Sequence, residues 1–88
     1  MADTQTTTLT QSFTKVFDAT TNLAESYTIQ NNSTVPITFL KKSTTPADTE
    51  RGLYLYKGED GSVLDISDDV YFRATNSNGA TLTFDLRS

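Results

Sequence analysis

Apolar residues in this chain recur at every second position, and threonine occupies much of the space between them. Tyr27 and Ile29 share one parity, as do Val35, Ile37 and Phe39; Leu53 and Leu55; Leu64 and Ile66; Val70, Phe72 and Ala74; and Leu82, Phe84 and Leu86. A period of two marks a strand with one buried face. Threonine supplies 17 of the 88 residues, and its β-branched side chain is stiff at χ1 and suits a pleated surface better than a helix. Turn-prone clusters separate the alternating runs at intervals of roughly 8–12 residues, as in small sandwiches and barrels. The expected fold is all-β: a small antiparallel β-sandwich or barrel of about six to seven short strands with an extended N-terminal arm.

The core of such a fold is thin. Leu, Ile, Val and Phe total 20 residues, and a chain of this length buries only about 60–65% of the surface its unfolded form exposes. The length allows one domain, read as a Thr-rich arm or edge segment over residues 1–21 and a single β domain over 22–88. The absence of Cys and His removes disulfides, Cys/His zinc sites, haem ligation by those residues, and nucleophiles that depend on a His base. The net charge of −4 argues against nucleic acid, which needs clustered Lys and Arg. No apolar run approaches the roughly 18 residues of a membrane span. The first eight residues carry neither the basic nor the apolar region expected of a secretory signal.

Along the chain, residues 1 to 8 read as a polar arm outside the core. Leu9, Phe13, Val16 and Phe17 have helix-face spacing, but Thr20 ends the stripe and the β-branched content favours an edge strand near 11–17. Residues 23–40 read as a hairpin turning at Asn32-Ser33-Thr34, with Ile29 opposite Ile37 and Tyr27 opposite Phe39. Pro36 should place that second strand at an edge or lie off the ladder. Residues 43–51, unpatterned and containing Pro46 and Arg51, read as an interaction loop. A second hairpin over 53–66 sets Leu55 against Leu64 and Leu53 against Ile66, around Gly58-Glu59-Asp60-Gly61. A third turns at Ser77-Asn78-Gly79, with Gly79 left-handed. It pairs Ala74 with Leu82, Phe72 with Phe84 and Val70 with Leu86, and sets Asp69 against Arg87.

Few residues offer chemistry. The carboxylates Asp65, Asp68 and Asp69, and Glu59-Asp60, could suggest Ca²⁺ or glycoside chemistry; their spacing fits turn and strand-end capping better. Tyr54 and Tyr56 share a face and could stack on a sugar, though an interface is the favoured reading. Two Asn-x-Ser/Thr matches, at Asn31 and Asn32, are expected by chance in so hydroxyl-rich a chain. No catalytic residue, cofactor or metal is expected.

The succession Asn31 … Pro46 … Gly52-Leu53-x-Leu55 … Gly58-Glu59 … Ile66 … Val70-Tyr71-x-Arg73-Ala74 … Leu82-Thr83 resembles small β-rich virion proteins of tailed bacteriophages, some of which are capsid decoration (cement) proteins. The likeness covers residues 25–86 and is a diffuse pattern of turn glycines and alternating apolar residues. It implies a non-enzymatic structural protein of the virion that binds the major capsid protein or another virion protein. A homo-oligomer is expected, with a trimer favoured; nucleic acid and membrane are not expected as partners. The alternative is a tail, baseplate or fibre component, a receptor- or carbohydrate-binding module being one form of it; a carbohydrate-binding or inhibitory module outside any virus is the third. The expected interface residues are Thr6, Thr7, Thr8, Leu9, Phe13, Pro46, Arg51, Tyr54 and Tyr56. On this reading, deletion of residues 2–8 should lower particle occupancy without unfolding the domain.

Overall fold

The structure, a computed structural model, describes residues 5–47 and 52–86. Eight strands follow one another: β1 (Gln5–Leu9), β2 (Thr14–Phe17), β3 (Tyr27–Asn31), β4 (Ile37–Lys41), β5 (Leu53–Leu55), β6 (Asp60–Val63), β7 (Val70–Ala74) and β8 (Ala80–Leu86). They form two four-stranded antiparallel sheets packed as a sandwich, in the orders β1-β8-β3-β6 and β2-β7-β4-β5. Strand pairs 1·8, 2·7, 3·6 and 4·5 nest inside one another, and 3·8 and 4·7 close the sheets. A chain folded back on itself as one long hairpin and then rolled up has this connectivity: it is the eight-stranded jelly roll.

The all-β sandwich expected from the alternation is present, with one strand more than the upper expectation. The hairpins are not. β3 and β4 lie in different sheets, as do β5 and β6, and β7 and β8; Asn32–Pro36, Tyr56–Glu59 and Thr75–Gly79 are arches that carry the chain from one sheet to the other. Ile29 sits opposite Gly61 and Phe84, not Ile37, while Ile37 sits opposite Leu55 and Ala74. Phe72 sits opposite Thr14 and Phe39, not Phe84. The physical reason is simple. Parity sets which face of a strand is buried, and in a sandwich residues of matching parity meet across the core as readily as along a ladder.

One further expectation changes, and that for Pro36 is met in its second form. Within the segment read as an arm, Gln5–Leu9 pairs with β8 in unbroken register from Gln5·Phe84 to Leu9·Ala80. Leu9 is 1% exposed, so a deletion of residues 2–8 would uncover β8 instead of sparing the fold. Pro36 falls in the arch before β4, where no ladder hydrogen bond is asked of it; β4 is then free to be an inner strand between β7 and β5. The edge strand expected near 11–17 is β2, an edge of the second sheet. Gly79 is left-handed as expected (φ 79°), and a Cβ there would lie 2.7 Å from the Leu9 carbonyl oxygen. Its Asn76 to Gly79 turn serves an arch.

The core is bridged by an aromatic cluster. Phe17 of β2 stacks on Tyr27 of the opposite sheet, with ring centroids 4.4 Å apart, and meets Phe72 and Phe84 edge-on at 5.9 and 5.2 Å. Such pairs add about 0.5–1.5 kcal/mol each beyond area burial. Ile29, Ile37, Leu82 and Ala74 fill the remaining space between the sheets.

At the other end of β3 the buried group is polar. Asn31 is 0% exposed. Its side-chain amide donates to the carbonyls of Val35 and Leu55, both at 2.8 Å, and its Oδ1 accepts from the Ser33 N–H at 2.9 Å. Its main chain accepts from Gly58 N–H at 2.9 Å and donates to the Glu59 carbonyl at 3.1 Å. One residue thus ties the 32–36 arch, the end of β5 and the 56–59 turn together. Asn31→Ala should leave the Val35 and Leu55 carbonyls without these donors and cost about 2–3 kcal/mol. Thermal unfolding should show a midpoint lowered by about 10–20 °C; an unchanged midpoint would contradict this role.

Candidate functional site

The eight described residues among the nine expected to form an interface do not share one surface. Thr6 and Thr8 are exposed on β1, Thr7 is half-buried, and Leu9 belongs to the core. Phe13 is buried, with the Arg73 guanidinium 5.5 Å over its ring. Pro46 is buried too, and Arg51 lies outside the described residues, as do residues 48–50 of the expected 43–51 loop. Tyr54 and Tyr56 are about half exposed, on and just after β5. β1 and β5 are edges of different sheets, and β1 stands at the opposite edge of its sheet from β6.

Around β5 the surface is apolar. Leu53 is 70% exposed and Leu64 52%, although alternation placed both inside. Strand length explains this. β5 is only three residues long, so Leu53 sits at its rim; β6 turns Val63 inward, which sends Leu64 outward, and the left-handed Asp65 (φ 48°) that follows resets the alternation so that Ile66 is buried again. Val63 is the buried residue instead. Leu53 and Leu64 flank an open groove of about 630 Å³, lined mainly by Phe39 and Leu40 of β4, Gly52, Val63 and Val70. Gly52 is required there: a Cβ would run into the Phe39 main chain.

The tyrosines lie on the outer face of the same edge. Tyr54 sits opposite Thr38 in the ladder, not opposite Asp65. The rings of Tyr54 and Tyr56 stack with centroids 5.6 Å apart at an interplanar angle of 24°. Tyr56 is held by its turn: its N–H donates to Glu59 Oε1 at 2.7 Å, and its carbonyl accepts from the Glu59 N–H at 2.9 Å. That turn rests on the main-chain carbonyl of Asn31, which accepts from the Gly58 N–H, so the buried end of β3 supports the turn that carries an exposed ring. Exposed apolar side chains thus stand on two sides of β5: Leu53 and Leu64 at the groove, and the tyrosine pair on the outer face. This is desolvatable surface with two hydroxyls for orientation, the composition of a docking patch.

The carboxylates serve the scaffold. Among the described residues no three acidic groups converge as metal ligands would. Asp69 Oδ1 accepts from the Ala19 N–H at 2.7 Å, and its other oxygen lies 3.7 Å from Lys15 Nζ, so its partner is Lys15; Arg87, its expected partner, lies outside the described residues. Asp18 binds Lys15 at 2.9 Å and caps the Thr20 and Thr21 N–H groups. Lys15, and then these two amides, hold the Asp18 carboxyl down from 3.8 to about 2. Asn22 and Tyr27, by hydrogen bonding, hold Glu25 below its ordinary range.

No protein-family model, curated protein or solved structure matches the chain.

Because the fold favours ionised Asp18, this group stabilises above its unfolded value near 3.8, and the contribution disappears as pH falls towards 2. Thermal midpoints measured from about pH 5 down to about pH 2 should fall through that window. Asp18→Asn should flatten part of the decline, and an identical profile in the variant would count against the assignment.

Proposed function

We propose that this chain is a non-enzymatic structural protein of a bacteriophage-like virion, acting as a decoration protein that docks on the major capsid protein of the shell. The observation that carries the reading is the set of exposed apolar side chains around β5, with Leu53, Tyr54, Tyr56 and Leu64 all at least half exposed. In a small domain with a thin core, leaving four large apolar side chains in water is unfavourable unless a partner covers them. The sequence resemblance over residues 25–86 and the jelly-roll connectivity, which recurs in viral shell proteins, support the same reading. Lectin and cupin domains share that connectivity, so the surface weighs more than the topology. Docking to a shell would also add stability by mass action.

A receptor- or carbohydrate-binding role in a tail, baseplate or fibre is the second reading, favoured by the stacked Tyr54–Tyr56 pair alone. The two readings diverge in one comparison. Purified chain is added to particles lacking it, and occupancy is measured beside binding to a glycan array. Tyr54→Ala/Tyr56→Ala should lower particle occupancy about tenfold or more while the fold persists, as expected for truncating central aromatic anchors. Unchanged occupancy would overturn the docking reading, and glycan binding lost in the same variant would favour the second.

A further inference from the structure

The four sheet edges of this sandwich are not equivalent. β2 carries a register shift between Lys15 and Phe17, and Lys15 is engaged with Asp18. β5 is three residues long; β6 is four and opens on Asp60-Gly61. Bulges, charges, short length and glycine are the devices that keep an exposed edge from pairing with another chain. β1 has none of them. Its five residues, Gln-Thr-Thr-Thr-Leu, carry no charge, glycine or proline, and its ladder with β8 runs without a shift. Its other side presents a row of main-chain N–H and C=O groups at the end of the sheet.

We propose that β1 pairs antiparallel with β1 of a second copy of this chain, joining the two four-stranded sheets into one of eight strands across a two-fold axis. The strand is self-complementary in one register. Centred on Thr7, all five residues pair: Thr7 with Thr7, Thr6 with Thr8, Gln5 with Leu9. A slip of one residue would set the inward Leu9 against an outward neighbour, and a slip of two would leave only three pairs. The exposed Thr6 and Thr8 then form two cross-strand threonine pairs on the outer face, a favourable combination. No charge on β1 opposes the approach, although the chain as a whole is at −4. Pairing like strands antiparallel closes at two copies, so the geometry points to a dimer and not to the trimer expected from the sequence. The proposal is independent of the docking reading: it uses the edge opposite the groove side, and either can fail without the other.

Charge substitutions at the paired positions test it on the full chain by sedimentation velocity. Wild type should show a concentration-dependent monomer–dimer equilibrium. Thr6→Lys/Thr8→Lys places two lysine pairs directly across the axis and should weaken the dimer about tenfold or more, even though it makes the chain less negative overall. Thr6→Lys/Thr8→Glu makes each pair Lys–Glu and should restore the dimer. A monomeric wild type, a dimer unaffected by the double lysine, failure of the Lys–Glu variant to recover, or assemblies larger than two would each overturn the proposal. Should a variant not fold by circular dichroism, hydrogen exchange on wild type decides: the outward amides of β1 must lose protection on dilution, and concentration-independent exchange would overturn the proposal.

Discussion

The side chain of Asn31 is the point on which the arrangement of this sandwich depends. It lies where three changes of direction meet: the arch from β3 into β4, the end of β5 and the turn into β6. Its amide saturates two carbonyls that would otherwise face the interior, and its main chain anchors the Gly58-Glu59 turn. A buried polar group costs free energy unless all its partners are in place. Here they are supplied, and no buried side-chain polar atom among the described residues lacks a partner. The connection to the surface runs through the Asn31 main chain, which bonds Gly58 and Glu59 in the turn where Glu59 also holds the Tyr56 N–H, beside the stacked Tyr54. At the other end of β3, the Phe17–Tyr27 stack does the complementary work of joining the sheets through apolar contact.

Chain connectivity distributes these tasks. Seven connections link the eight strands, and only β4 to β5 stays within one sheet. Each of the others crosses the core, so most strand partners are distant in sequence and the fold must close around its first and last strands. β1 contributes Leu9 to the core through its pairing with β8, while offering its far side to solvent. The same geometry leaves the β5 edge as the apolar side and the β1 edge as the hydrogen-bonding side.

Much of the buried set was legible in the sequence because parity is a local property. Ile29, Ile37, Leu55, Ile66, Val70, Phe72, Ala74 and Leu82 are all buried, as alternation requires. Pairing was not legible. Asn78-Gly79 is a turn with Gly79 left-handed, but nothing local distinguishes a turn that closes a ladder from one that crosses a core. Leu53 was misplaced because its exposure depends on where a three-residue strand stops, and Leu64 because Val63 takes the inward position and the left-handed Asp65 resets the parity before Ile66. Of the residues expected at an interface, Tyr54 and Tyr56 lie exposed on one face, as their shared parity required. Leu9, Phe13 and Pro46 are occupied by the fold itself, and a Thr-rich run reads as an arm until β8 is known to need a neighbour. The role of Asn31 had a faint signal: a polar residue in register with Tyr27 and Ile29.

The central claim is the pairing pattern, since the groove, the tyrosine pair and the free β1 edge all follow from it. Backbone NOEs between strands test it most directly. The account predicts contacts between Tyr27–Asn31 and Leu82–Leu86, and between Ile37–Lys41 and Val70–Ala74. Backbone contacts joining Phe72 to Phe84 and Ala74 to Leu82, as a C-terminal hairpin would give, would contradict it.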